Sequence, residues 1–506
     1  MIPINSKEPQ KNLGYQSINN DLPRNIKDAN RAIWNIFSKC QPVDGNEEIV
    51  ITGQVLGDGR GDWAAMRNQQ KNLHKMFPDR TVRIIASSTT KWEGQLEVSK
   101  KESEPTDLTY YGNSRFGGAN VPLSAFPPET KVIEKVEQAG VVIEAGVSIG
   151  GMFPEDTIAK IKENSLKICE HDFETASAKR LSFDTELKTG LGPSRDGIFL
   201  SSNKKEYNWK DLANANLKTL LFENINPEMD DVDNYLANHA CFFGYMSGME
   251  SYFPFIGEAV CFANANFPEK SIDICLPNII KDKKVGFDEF MKSELAYIQL
   301  KSNGDINQVK IIWYDEGTKL ERTYLLAGIE NKGKGKELRI LDPGSLSAKD
   351  FKMMISLSAP LVGCTGDNSL AQTLSMGKIP CYEPRFESKV NGLLTRIGYT
   401  IGYDSALYDY CEYRRGKHRV SREGVVHPEL TEQAKKFGQI IRENFSFQPL
   451  LKGVVNEKLL RRKDKDFSER EDGIRQKYLD KKISIEEMES QIIELLSEKG
   501  MYPKIA

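Results

Sequence analysis

Residues 361–383 read LVGCTGDNSLAQTLSMGKIPCYE, and their order decides how the second half of the chain folds. An apolar run ends at Cys364, and small and polar residues follow at 365–369. Residues 370–376 lack Gly and Pro and predict a helix, which Gly377 ends. Residues 378–382 predict the next strand, with Glu383 just past it. Strand, turn, helix, strand is the grammar of a parallel α/β layer. The first turn of such a helix exposes backbone N–H groups and the positive end of the dipole, which suits an anion. That field is worth about 0.3–1 kcal/mol per charge at the surface and up to ~2 when partly buried. Thr365 and Ser369 add hydroxyls, and Gly366 lets a phosphate approach the backbone. Tyr382 and Glu383 stand at the carboxyl end of the neighbouring strand, where ligands of open α/β sheets collect. A plainer alternative is also open. Asp367, Asn368 and Ser369 are good N-caps, so the run also reads as a capping loop, and Glu383 as a surface acid.

The same grammar extends outward. Residues 338–341 predict a strand and 347–357 a helix with Ser347 as N-cap; 296–299 and 309–314 are further strand candidates. In the first half, 26–40 has helical apolar spacing, and 47–56 is β-branched and strand-like. The glycine loop GDGRGD at 57–62 leads into a helix over 63–76, stopped by Pro78, and 81–86 is strand-like again. Residues 130–139 and 156–164 predict helices, and 141–145 a short buried strand. The loop GLGPSR at 190–195 runs toward a short strand by residue 200. Two α/β layers follow, rather than one large sheet. The expected organisation is a polar lead-in at 1–25, an α/β domain at 26–230, a second at 231–449, and a charged helical tail at 450–506.

Bulk properties narrow the class. With 39% hydrophobic residues in 506, the chain has material for sizeable cores. A net charge of -3 provides no global positive field for nucleic acid. The eight scattered cysteines form no CxxC pair, and the five histidines have no partner at metal spacing, so buried thiols of a reducing compartment and no metal site are expected. No apolar run spans a bilayer, and residues 1–20 lack a signal peptide's apolar stretch. The expected location is cytoplasmic; the alternative is non-classical secretion into a host cell.

The run 361–383 resembles the donor-binding half of GT-B glycosyltransferases. Its pattern G-(D/E)-x-S, helix, G-K-x-P looks like the bacterial protein-arginine rhamnosyltransferase-like proteins, with Gly366-Asp367-Asn368-Ser369 in place of their G-E-D-S run. The shorter Asp367 stands where that family has Glu. The resemblance implies two facing Rossmann-like domains and a nucleotide-diphosphate-sugar co-substrate with no further cofactor. Thr365, Gly366, Asp367, Asn368 and Ser369 would hold the diphosphate, Tyr382 and Glu383 the base, ribose or sugar, and Arg195 diphosphate charge. The glycine loop would face an unidentified acceptor, with Asp62 or Asp58 as general base. On residues alone, Asp62 also reads as a helix cap, Asp58 as a turn former, and 190–195 as a surface loop. The function implied is transfer of a hexose-type sugar. The alternatives are a nucleotide-sugar epimerase on the same scaffold and a non-catalytic secreted effector with a host-protein partner.

Other features carry less. Asp231-Val232-Asp233 matches a metal-chelating DxD but heads a helix-like run. The aromatic group Phe242, Phe243, Tyr245, Tyr252, Phe253 and Phe255 reads as core or as an acceptor platform. The basic run 414–419 reads as a solvated loop or a phosphate contact. Residues 483–496 read as an amphipathic helix packed on the body, or as a partner-binding or secretion signal.

Overall fold

The computed structural model describes residues 26–55, 60–88, 106–110, 130–145, 153–170, 185–192, 195–200, 207–222, 231–246, 249–279, 298, 305–315, 317–326, 336–383, 387–415 and 422–502. Two separate sheets organise them.

The first sheet holds β1 (Ile49–Val55), β2 (Val82–Ser88), β3 (Thr106–Tyr110), β4 (Val141–Ala145), β5 (Ser165–Glu170) and β6 (Glu186–Thr189). Their order is β3-β2-β1-β4-β5-β6, and every pairing is parallel. Successive strands step outward from β1 in one direction and from β4 in the other. The reversal places a topological switch point between β1 and β4. Strand β4 is buried along its whole length, as a parallel strand covered on both faces requires.

The second sheet holds β7 (His239–Gly244), β8 (Ser271–Cys275), β9 (Ile306–Asp315), β10 (Thr318–Leu325), β11 (Lys336–Asp342), β12 (Leu361–Cys364) and β13 (Ile379–Tyr382). Its order is β10-β9-β11-β8-β7-β12-β13. All neighbours are parallel except the β9–β10 hairpin. Alternation divides the side chains between two cores. Phe242, Ile274, Ile340 and Leu361 pack with Phe253, Phe255 and Ile256 of the helix Met249–Asn266. Phe243, Cys275, Leu341 and Val362 pack with Met353 and Met354 of the helix Ala348–Leu357 and with Trp209, Leu217 and Tyr235. The switch point of this sheet falls between β7 and β12.

The chain passes between the units twice. The segment 190–200 leaves the first sheet, and Leu191 and Leu200 join the core of the second. Ile198 pairs with Ser446, where the chain returns. Arg396 fixes the first passage, its guanidinium donating to the carbonyls of Leu191 (2.9 Å) and Gly192 (3.2 Å).

After Ser446 the helices Phe447–Lys463, Lys465–Leu479 and Ile485–Glu498 build into the first unit. Their apolar face (Leu451, Val454, Val455, Phe467, Met488, Ile492) shares one core with Ile33, Phe37, Ile51 and Ile143. A buried Leu, Ile or Phe contributes about 1.5–3 kcal/mol, so this face outweighs the polarity of the segment. Ser484 and Glu487 start the last helix with a reciprocal capping box. The helix Phe447–Lys463 crosses the helix Ile26–Lys39 so closely that a Cβ on Gly453 would lie 2.0 Å from the Trp34 carbonyl oxygen. Gly453→Ala therefore has to part the two helices. A loss of about 1–3 kcal/mol is expected, read as a lower denaturation midpoint for the first unit.

Most expected elements are present, including the fold class of two Rossmann-like α/β units with a helical C-terminal region. Four details differ, the first being that the helix expected over 63–76 begins at Arg60. The described residues of 190–200 form no strand, only isolated bridges Gly190–Gly197 and Ile198–Ser446. The helix placed at 370–376 begins four residues earlier, at Gly366. The strand candidate at 296–299 lies outside the described residues except for Ile298, which is helical. As expected, Asp231 heads a helix, Asp231–Asn238.

Candidate functional site at the second switch point

The carboxyl ends of β7 and β12 meet where sequence reading placed the anion site. Their approach depends on paired glycines. A Cβ on Gly244 would lie 2.4 Å from the Phe255 ring, and one on Gly363 would lie 2.9 Å from the Gly244 Cα. Tyr245 N–H then donates to the Gly363 carbonyl at 2.9 Å, carrying the ladder past the strand end.

Beyond β12 the backbone turns at once into the helix Gly366–Ser375. Thr365 is the N-cap in extended conformation, and its side chain makes no capping bond. Gly366 has φ +66°, and a Cβ there would meet open space. The helix N-terminus is thus uncapped by Thr365 and unshielded at Gly366. Ser369 is buried, and its hydroxyl donates back to the Thr365 and Gly366 carbonyls, which commits its proton within the helix. Asn368 is exposed and its side-chain carbonyl accepts from Gln372 Nε2 at 3.1 Å. The side chain of Asp367 lies outside the described residues.

Two carboxylates close the same edge. Glu383, 4% exposed, follows β13, and its N–H donates to the Cys364 carbonyl at 2.9 Å. Its Oε1 accepts from the hydroxyl of Ser251, in the first turn of the helix Met249–Asn266, at 3.0 Å. Asp342, at the end of β11, accepts from the N–H groups of Asn278 and Gly344, both at 2.8 Å, and so joins the loops after β8 and β11. Tyr252 fixes the loop after β7 by donating to the Met246 carbonyl at 2.7 Å. Burial, with Tyr245, Asp342 and Glu383 adding to it, pushes the Tyr252 hydroxyl well up, so it stays protonated. Tyr245 is exposed and leans edge-on against Phe351. The carboxyl edge of this sheet therefore gathers two buried acids, a helix N-terminus with an unshielded Gly366 and an exposed aromatic ring.

The fold brings 365–369 and Glu383 together. Tyr382 is buried in the apolar core of this unit, so its ring is packing material. Arg195 sits in the connecting loop, half-buried, its side chain lying over Gly190 and Gly192. Asp58 lies outside the described residues; Asp62 belongs to the helix Arg60–Met76, but its side chain is also outside them. That helix follows β1 at the first switch point. Sequence reading passed over two features. Glu144 is a buried carboxylate one residue from the end of β4, at that same switch point. Its only signal was a single charge inside VVIEA. Tyr245 was read only as one of an aromatic group, of which Phe242, Phe243, Tyr252, Phe253 and Phe255 are core. Among the described residues there is no group of His, Cys, Asp and Glu able to hold a metal, and no helix long and apolar enough to cross a membrane.

No family model and no curated protein matches the chain. Solved structures similar to it include a glycosyltransferase from Rickettsia africae ESF-5, with TM-score 0.38, 10% identity, 82% of this chain covered and 99% of the other. Arabidopsis thaliana UGT89C1 complexed with UDP-L-rhamnose is similar at TM-score 0.36 and 11% identity, over 82% of this chain and 100% of the other. A UDP-GlcNAc 2-epimerase from Neisseria meningitidis, bound to UDP-GlcNAc, is similar at TM-score 0.34 and 12% identity, over 80% and 100%. At these values the architecture rests on the strand orders above, not on the likeness.

Proposed function

We propose that the chain is a GT-B-like glycosyltransferase that moves a hexose-type unit from a nucleotide-diphosphate sugar to an acceptor. One observation carries the reading: the start of the helix Gly366–Ser375, where Thr365 makes no side-chain capping bond, stands at the switch point of the second sheet, where open α/β folds bind ligands. The donor diphosphate would lie on the first-turn amides at Gly366, Asp367 and Asn368. The helix dipole would offset part of its charge, with Arg195 as the cation assigned to the remainder and no metal required. Glu383 would help to hold the ribose or sugar. The acceptor proton would pass to Asp58 or Asp62, from the first unit's switch point, a step typically worth ~10²–10⁴ in rate. A protein-arginine acceptor of the rhamnosyltransferase-like kind is the finer form of this reading.

The test is a thermal-shift series with UDP-, GDP-, dTDP- and ADP-sugars. One of them should stabilise the protein, by about 2.7 kcal/mol at ~100 times its Kd. Gly366→Val should abolish that shift, because a β-branched residue strains at φ +66° and its methyls fill the open approach. No shift with any donor, or an undiminished shift in Gly366→Val, ends the proposal.

A further inference from the structure

The helices Glu387–Thr400 and Ala406–Arg415 are joined by the turn 401–405, and tyrosines collect around it. Tyr399 is 63% exposed and Tyr403 is 53% exposed. The Tyr403 ring lies against the first helix at Gly398, where an added Cβ would come within 2.3 Å of it. Tyr399 and Tyr408 meet that ring in T-shaped contacts, with centroids 5.8 and 5.3 Å from its own. Tyr408 is half-buried against the core of the second unit and anchors the group there. Tyr413, also exposed, lies one turn beyond Asp409 on the same face of its helix. Aromatic rings that are fixed in place yet open to water mark a recognition surface.

The charge around these rings has one sign. Residues 397–413 hold Asp404, Asp409 and Glu412 and no Lys, Arg or His. Glu412 is paired with Arg415. Asp404 and Asp409 are exposed and have no ion-pair partner among the described residues. Neither is needed to start the second helix, because the Ser405 hydroxyl accepts from the Tyr408 N–H at 3.2 Å. The arginines at either end are committed elsewhere. Arg396 donates to the carbonyls of Leu191 and Gly192, and the buried Arg414 pairs with Glu258 at 3.0 Å. Exposed rings beside unpaired carboxylates suit a cation that is itself flat. A guanidinium stacks on a tyrosine face while its N–H groups reach a carboxylate, and an ammonium lacks that planar fork. We propose that this turn docks an arginine-rich segment of a partner protein.

Fluorescence anisotropy of the full chain with labelled peptides tests this. No sugar donor is present, so the result does not depend on the transferase reading. A peptide alternating Arg and Gly should bind, and more tightly than its Lys-Gly counterpart, while a Ser-Gly peptide should not bind. Tyr399→Ala and Tyr403→Ala should each weaken Arg-Gly binding by about 2–5-fold, the worth of a cation–π contact at an exposed site. Tyr403→Phe keeps the ring and should bind as the wild type does. Asp404→Asn combined with Asp409→Asn should also weaken binding and flatten its dependence on salt. Unchanged far-UV circular dichroism shows that each variant folds. The proposal is overturned if the Arg-Gly peptide does not bind, if the Lys-Gly peptide binds equally well, or if the alanine or asparagine variants bind undiminished. A second copy on the same rings would appear as self-association lost in Tyr399→Ala, and a glycan as tighter binding of a neutral oligosaccharide. Either result overturns the proposal as well.

Discussion

Arg339→Met should cost the second unit about 3–5 kcal/mol, the usual range for removing one partner of a buried ion pair. Arg339 on β11 and Asp273 on β8 are register partners in the middle of the sheet, and both are buried. The guanidinium donates to both carboxylate oxygens, Nε to Oδ1 at 2.7 Å and a terminal nitrogen to Oδ2 at 2.5 Å. Tyr235 donates its hydroxyl to Oδ2 at 2.7 Å, and His239 Nδ1 lies 3.4 Å from the same oxygen. Burial alone would raise the Asp273 carboxyl, but His239 and Arg339 together hold it below its ordinary value. A depressed folded pKa stabilises above the unfolded value and loses that contribution as pH falls through the folded one. Truncating Arg339 leaves the carboxylate in the core with a phenol and a partly exposed imidazole. Replacing both partners, as Asp273→Leu with Arg339→Met, removes the orphan charge and should recover most of the loss. Urea denaturation at neutral pH compares the three proteins. A single variant as stable as the wild type would show that the pair contributes nothing.

That pair also marks a limit of sequence reading. Asp273 is the lone charge of SIDIC and Arg339 one of four charges in KELRILD, and the sequence does not say that the two strands are neighbours. What periodicity does fix was legible. The strand Val141–Ala145 and the helix Ala348–Leu357 with its Ser347 cap stand where the residues put them, since apolar runs and capping chemistry act locally. The helix after β12 started early because GDNS reads as turn residues. A positive φ at Gly366 lets the chain enter the helix immediately, and propensity carries no such information. Strand β10 escaped notice because polar and apolar residues are mixed on both its faces, so no alternation marks it. The strand–turn–helix of the candidate site was legible because strand, small residues and helix are consecutive in the chain. The acidic edge beside it was less so, since Asp342, Ser251 and Glu383 come from three distant segments.

The charged segment after residue 450 carries the last expectation: Glu471→Gln should make the protein more stable than the wild type above pH 8. Glu457 and Glu471 are both buried, on the helices Phe447–Lys463 and Lys465–Leu479. Arg475 bonds both carboxylates, Arg461 bonds Glu471 at 3.0 Å and also reaches Asp472, and Trp34 Nε1 donates to Glu457 at 2.6 Å. Lys458 adds positive charge near Glu457. Burial and the neighbouring Glu457 push the Glu471 carboxyl up to about 8. Burial opposes ionisation of Glu457 too, but Arg475, Lys458 and Arg461 outweigh it and hold it at about 2. The pair thus keeps one proton at neutral pH, as two close carboxylates do. A raised folded pKa stabilises below the unfolded value, and that contribution is lost as pH climbs through about 8. Glu457 acts oppositely, losing its contribution as pH falls toward 2. A tenfold change in a group's acidity on folding is worth about 1.4 kcal/mol, so a change of several powers of ten outweighs most surface effects. The amide introduced by Glu471→Gln would copy the protonated acid and have no proton to lose. That variant should match the wild type near pH 5 and hold its stability where the wild type declines. Denaturation midpoints across pH 5–9 decide the matter, and parallel curves for the two proteins would mean that Glu471 ionises without consequence for the fold.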